Sequence, residues 1–352
     1  MDTQIRRYDI DWLRVIAIAI LLVFHIMIMF QSYARLVLFI ESPVLLKVLL
    51  IPLSLLSVMR IPLLFFISGM GVYFSLQRRT WLQLLGERTI KILVPLLFGS
   101  FAIVPIHAFI YAKFYSEEFI YAPNMGHLWF LCNILLYVLW FLAIFYFAKE
   151  IQNSKFFNLL RKLIEKYPYG IYLLAIPYIL QALTIPAEIP YALFYDSRVG
   201  LLLGAIAFLL GFTFITIGEV AWEAISKFKY YSLGLALIIF VVRGVVFEFH
   251  GPHVLTSIES ISWIFGILGL GYAHLNKPSR ILAYLSQAAY PFYILHMIFL
   301  YWGAYIIFPL NINVWASLLF IVAFTFTGCY LSYEIIRRIF FLRPLFGLKL
   351  KK

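Results

Sequence analysis

The 352-residue chain is 64% hydrophobic and 19% aromatic, with 12% charged residues, where an ordinary soluble domain carries about 25%. That balance excludes a soluble enzyme or a disordered tail and leaves a polytopic membrane protein. The net charge of +12 follows membrane topology along the chain, so it does not call for a nucleic-acid partner.

The first apolar run, residues 10–31, holds Arg14 and His25. Eleven steps at about 100° per residue make three turns plus roughly 20°, so both side chains share one helical face about 16 Å apart along the axis. A cation and an imidazole in hydrocarbon are costly; they face a protein interior or wet cavity and mark a reaction site, an ion path or a substrate pocket. His25 is a candidate general base, because a neutral imidazole accepts a hydroxyl proton near neutral pH. Arg14 either pairs with Asp11 three residues earlier or binds a phosphate or polar acyl donor arriving from the cytoplasm. Asp9 and Asp11 ahead of the run argue for a retained helix rather than a cleaved signal peptide.

Residues 43–59 fit an eleventh span, a re-entrant helix or an interfacial helix. The second span, residues 60–77, starts at Arg60 and carries Phe65-Phe66-Ile67-Ser68-Gly69-Met70-Gly71 in its middle. Small residues there let helices approach closely, or leave room for a thin acyl chain beside Ser68. Residues 77–88 interleave Trp and Leu with Arg78, Arg79 and Arg88, the pattern of an interfacial amphipathic helix. Lys91 extends the basic run into the third span, residues 90–112. The fourth, residues 127–148, opens on Gly126-His127-Leu128-Trp129, which sets a histidine at the mouth of a helix beside an interfacial aromatic anchor.

The longest polar connection, residues 149–169, is too short to fold alone. Further spans are expected at 170–187, interrupted by Pro177 and Gln181, and at 198–217, 230–249, 256–275, 284–304 and 314–336. In the 284–304 run, Pro291 distorts a helix that places Tyr293 and His296 on one face. Cys132 and Cys329 both fall inside expected helices, which predicts two buried thiols rather than a disulfide.

These segments read as an all-α membrane protein of about ten transmembrane helices, a single domain over residues 1–352 without internal repeat. Sorted by alternating sides, most of the 28 Lys and Arg residues fall on one side, with Arg35, Lys47, Arg60, Lys113, Arg198 and Arg243 on the other. The positive-inside rule then puts both termini in the cytoplasm. In that topology His25, His127, His296, His250 and His253 lie toward the outer side, with Arg60, Arg243, Glu248 and Glu259 near it: a polar pocket opening outward. His250-Gly-Pro-His253 is not read as a metal site, because the Gly-Pro turn breaks the helical spacing that presents ligands. The chain carries no Walker loop, dinucleotide fingerprint or Gly-x-Ser-x-Gly elbow.

In combination, Arg14 and His25 at their eleven-residue spacing, FFISG at 65–69, the basic run ending at Arg88 and Lys91 before Pro95, GHLWFL at 126–131 and YPFYILH at 290–296 resemble the integral-membrane acyltransferase-3 family. The opening helix and PLLFFISGMGVYF look most like the branch containing glucan biosynthesis protein C. The resemblance spans nearly the whole chain. It implies about ten helices, a cytoplasmic acyl-CoA donor, transfer to a hydroxyl of an envelope carbohydrate, and His25 with Arg14 as the essential pair. The pattern departs at one point: family members often carry an appended periplasmic hydrolase-like domain, whereas the sequence here runs to Lys352, just after the expected tenth helix. The succinylating role known in the glucan branch is not carried over.

The expected function is therefore an O-acyltransferase of the cytoplasmic (inner) membrane, with acyl-CoA as donor substrate, no permanently bound cofactor and no metal. His25 and Arg14 are the expected catalytic residues. Arg14, Arg78, Arg79, Arg88, Lys91 and Ser68 are expected on the donor. His127, Tyr293, His296, Arg60, Arg243 and Glu248 are expected on a carbohydrate or glycolipid acceptor, or on the oxyanion. The rival class is a transporter or flippase that uses the same intramembrane Arg and His residues as a proton relay or substrate site.

Overall fold

The computed structural model describes residues 7–77, 80–186, 189, 191 and 197–350. These residues are predominantly helical and include no strand. Among the described residues eight helices are long and apolar enough to cross a membrane: Tyr8–Ile28, Lys47–Leu76, Trp81–Phe114, Arg198–Ile217, Glu219–Phe247, His253–His274, Arg280–Leu310 and Val314–Ile336. At 1.5 Å per residue even a 20-residue helix is about 30 Å long, the thickness of the hydrocarbon layer. The chain is a polytopic all-α membrane protein.

The other two expected spans are broken. Gly126–Trp140 is a shorter apolar helix, with further turns at Leu142–Tyr146. The 170–187 region is a 3-10 segment, Pro168–Ala175, followed by Ile176–Ala182. Pro168 and Pro177 each lack a backbone donor, which favours starting a helix over continuing one. The 43–59 segment is not a separate element, since all of it from Lys47 onward extends the second span backward. The amphipathic segment before the third span is likewise continuous with it, starting at Trp81. This helix widens into π turns at Thr89–Leu93 and Gly99–Ile103, a distortion frequent at functional sites.

Caps explain several boundaries. The Ser197 hydroxyl accepts from the Gly200 amide at 2.8 Å, and Asn313 Oδ1 accepts from the Trp315 amide at 3.0 Å; each satisfies an orphan donor of the first turn. The polar connection folds as the amphipathic helix Lys155–Lys166, capped by Ser154 and burying Phe157, Leu160 and Ile164. Arg161 there donates to the carbonyls of Thr216 and Ile217 at 2.8 and 2.9 Å, satisfying backbone acceptors at the end of Arg198–Ile217.

The chain divides into two compact units, each assembled from separated segments. The first comprises residues 1–17, 57–85 and 136–282, and the second residues 18–56, 86–135 and 283–352. In the first unit the small residues of the FFISG stretch pack helix against helix. A Cβ on Gly69 would stand 1.8 Å from the Phe208 carbonyl oxygen, and one on Gly211 would stand 1.9 Å from that of Phe66. Backbone cannot yield to a methyl group, so Gly211→Ala is expected to force the helices apart. The expected cost is about 1–3 kcal/mol, read as a lowered thermal midpoint of the detergent-solubilised protein. A midpoint equal to that of the parent would show that this contact does not set the packing.

Candidate active site

The first helix ends at Ile28 and carries His25 in its last turn, where the helix dipole favours a positive charge. His25 is half-buried, and its Nδ1 lies 2.9 Å from Nε2 of the fully buried His296. The two ring planes lie within 8° of parallel, with their centroids 5.1 Å apart. His296 Nδ1 lies 2.7 Å from the carbonyl oxygen of Tyr293, one turn earlier on its own helix.

A carbonyl only accepts, so His296 Nδ1 carries a proton and donates. In a neutral imidazole the other nitrogen is then the acceptor, which makes His296 Nε2 the acceptor and His25 Nδ1 the donor. The lone pair of His25 is therefore on Nε2. This is the tautomer that a general base requires, and His296 occupies the position a carboxylate holds in hydrolase triads.

Two further histidines continue the cluster. His127 packs against His296 edge to face with 5.1 Å between centroids, and His107 lies 5.5 Å from His127. His107 is 5.2 Å from Tyr301, Tyr301 is 5.8 Å from Phe39, and Phe39 is 5.7 Å from His25. The six rings form a closed circuit within the second unit. Tyr293 braces it from outside, donating its hydroxyl to the His127 carbonyl at 2.6 Å, and His127 Nε2 donates to the Ile294 carbonyl at 3.1 Å.

The sequence matches the family model described as an acyltransferase domain over residues 7–334. The chain belongs to the acyltransferase-3 family. Comparison with curated proteins and with solved structures gives no match. Acyltransferase-3 membership places the chain among membrane acyltransferases rather than among the transporters that its intramembrane charges also suit.

For an acyltransferase-3 protein the disposition of the remaining expected residues is informative. His25, His127, Tyr293 and His296 come together in one unit, and they bring in His107, which the sequence reading passed over. The protons of His127 Nε2, Tyr293 Oη and His296 Nδ1 are all engaged by backbone carbonyls. That arrangement suits these residues to shaping and orienting the site more than to donating to an oxyanion.

Arg60, Arg243 and Glu248 belong to the first unit. Arg243 is buried and locked to Glu259 at 2.7 Å, with a further bond to the Phe249 carbonyl at 3.1 Å. Glu248 is exposed and caps the end of Glu219–Phe247 in a left-handed conformation.

On the expected donor side, Arg14 faces Asp11 at 3.5 Å with 40% of its side chain exposed. This loose pair leaves much of the guanidinium available. The Ser68 hydroxyl donates to the Leu64 carbonyl at 2.7 Å. Arg88 ends the helical turns before the π segment that carries Lys91, and Lys91 pairs with Glu87. Glu87, Ile90 and Lys91 form one wall of a cleft of about 270 Å³, with Pro344 and residues 347–350 as the other. Arg78 and Arg79 lie outside the described residues. Cys329 is buried as expected, whereas Cys132 is half-buried.

Proposed function

We propose that this acyltransferase is an O-acyltransferase of the cytoplasmic membrane, taking its acyl group from acyl-CoA at the inner side and passing it to a hydroxyl of an envelope carbohydrate or related acceptor. The observation that carries this reading is the His25–His296 bond at 2.9 Å with the Tyr293 carbonyl behind it, because it leaves a base-form nitrogen on His25. In the proposed step the acceptor hydroxyl gives its proton to His25 Nε2 while its oxygen attacks the thioester carbonyl. The tetrahedral intermediate collapses, the carbon–sulfur bond breaks, and the CoA thiolate takes the proton back from the imidazolium. His296 Nε2 holds the His25 Nδ1–H throughout, and the helix terminus stabilises the transient charge.

Arg14 is assigned to the donor. A guanidinium suits phosphate or a polar acyl carbonyl through its planar fork, and Arg88 and Lys91 add positive charge that attracts CoA. About 16 Å of helix separates Arg14 from His25, a distance that the thin pantetheine arm spans and a bulky sugar does not.

The test is direct binding and turnover in sealed, oriented proteoliposomes. With acyl-CoA inside and a carbohydrate acceptor outside, thiol release should depend on the acceptor. Arg14→Ala should weaken CoA binding by about 10- to 100-fold, the loss expected for charge-assisted hydrogen bonds; Arg14→Lys should fall between. Unchanged CoA affinity in Arg14→Ala would remove Arg14 from the donor site, and a requirement for acceptor on the inner side would overturn transfer across the membrane.

A further inference from the structure

The segment that follows the first helix is an ordered strap, and it ends over His25. Phe39 is buried, with its ring on His25 and on Tyr301, and the adjoining Ile40 is fully buried. Both belong to the same core cluster as Phe24 and Met297. Tyr301 donates its hydroxyl to the Leu38 carbonyl at 2.5 Å, and the Glu41 amide donates to the Tyr115 hydroxyl at 2.9 Å. At the near end, Arg35 pairs with Glu117 at 3.1 Å and lies over the Tyr115 ring at 4.5 Å.

One residue in the strap is held against its own preference. Leu38 has φ +63°, a left-handed conformation that a branched side chain rarely adopts. Leu38 is 67% exposed, so its burial does not compensate. Leu38 is the left-handed C-cap of the turn Arg35–Val37, where its amide donates to the Arg35 carbonyl at 3.1 Å and the Phe39 amide donates to the Ala34 carbonyl at 2.8 Å; the Tyr301 bond to the Leu38 carbonyl and the seated Phe39 ring add to that hold. Non-glycine residues held in the left-handed region cluster at active sites, ligand clamps and switch regions.

We propose that residues 35–41 form the acceptor gate of the active site, with Phe39 as the plug over His25 and the Tyr301–Leu38 bond as the latch. In the closed position Phe39 shields the base; release of the latch lets the strap move, lifts Phe39 and admits the acceptor hydroxyl to His25. The assignment of the entering molecule rests on the proposed function, whereas the gate itself does not.

A thiol reporter separates the two. The His25→Cys variant, in the full chain with Cys132→Ala and Cys329→Ala, is labelled with a water-soluble methanethiosulfonate reagent. Labelling should be slow with the native strap and about tenfold or more faster with Phe39→Ala, as expected when a local opening equilibrium shifts. Tyr301→Phe keeps the ring and deletes only the latch, so it decides the matter if Phe39→Ala does not fold; it should also label faster than the native strap. Equal rates with the native strap and the variant that folds would mean that Phe39 merely packs, and would overturn the gate.

In the His25-containing protein, Phe39→Ala should raise the ratio of acyl-CoA hydrolysis to transfer, because water reaches the base. Failure of acyl transfer in the parent protein with the labelling difference intact would count against the proposed function and leave the gate standing.

Discussion

His25→Ala should leave folded protein in the membrane and reduce acyl transfer by about 10²- to 10⁴-fold or more, the usual contribution of a positioned general base. The side chain is half-buried and its hydrogen-bond partner, His296, lies 271 residues away in sequence, and truncation removes the nitrogen assigned as the base. Loss should fall on kcat, because the base acts on the proton in flight rather than on ground-state binding. CoA affinity, assigned to Arg14, should be unchanged. The measurement is thiol release under saturating donor, with CoA binding and thermal unfolding as controls for the fold. A well-folded His25→Ala variant that turns over near the parental rate would exclude His25 as the base.

The membrane class and the helices that run uninterrupted were legible from apolar length alone. Val314–Ile336 coincides with the expected run, and Arg198–Ile217 does too, because each is bounded by a polar capping residue that the sequence displays. What the sequence did not reveal is continuity. The interfacial stretch before the third span and the ambiguous segment before the second both join their neighbours as single helices, since composition separates wet from dry turns but not one helix from two. The π turns of the third span leave no periodic signal at all.

The site shows the same division. Arg14 and His25 were legible because both sit on one helix with a fixed angular step. The partnership of His25 with His296 was not, because it depends on packing between helices distant in sequence. His107 carried a readable signal, an ionisable residue inside an apolar run, yet nothing in its neighbourhood tied it to His127. Arg243 and Glu259 carried the same signal and proved to be a buried ion pair. Intramembrane charge therefore marks a site or a structural lock, and the partner decides which. Phe39 offers no sequence signal, being one aromatic residue among 35 Phe; only its place on the His25 ring distinguishes it.

The second large effect is expected at His296, which touches no reacting atom and acts through His25. Without its Nε2 acceptor, the proton on His25 Nδ1 loses its partner, and the ring is free to adopt the other tautomer or to rotate. In a Ser-His-Asp hydrolase, mis-setting the tautomer lowers kcat by about 10⁴; here the orienting group is neutral, so His296→Leu should cost about 10²- to 10⁴-fold. His296→Gln extends an amide toward the position of Nε2 and can accept from His25 Nδ1–H, so it should recover part of the rate. A purely structural role would not distinguish Leu from Gln in this way at equal thermal stability. The acceptor KM should stay near the parental value in both variants, because His296 is buried behind His25. Equal losses in kcat for His296→Leu and His296→Gln, or parental kcat in a folded His296→Leu protein, would show that His296 does not set the tautomer of the base.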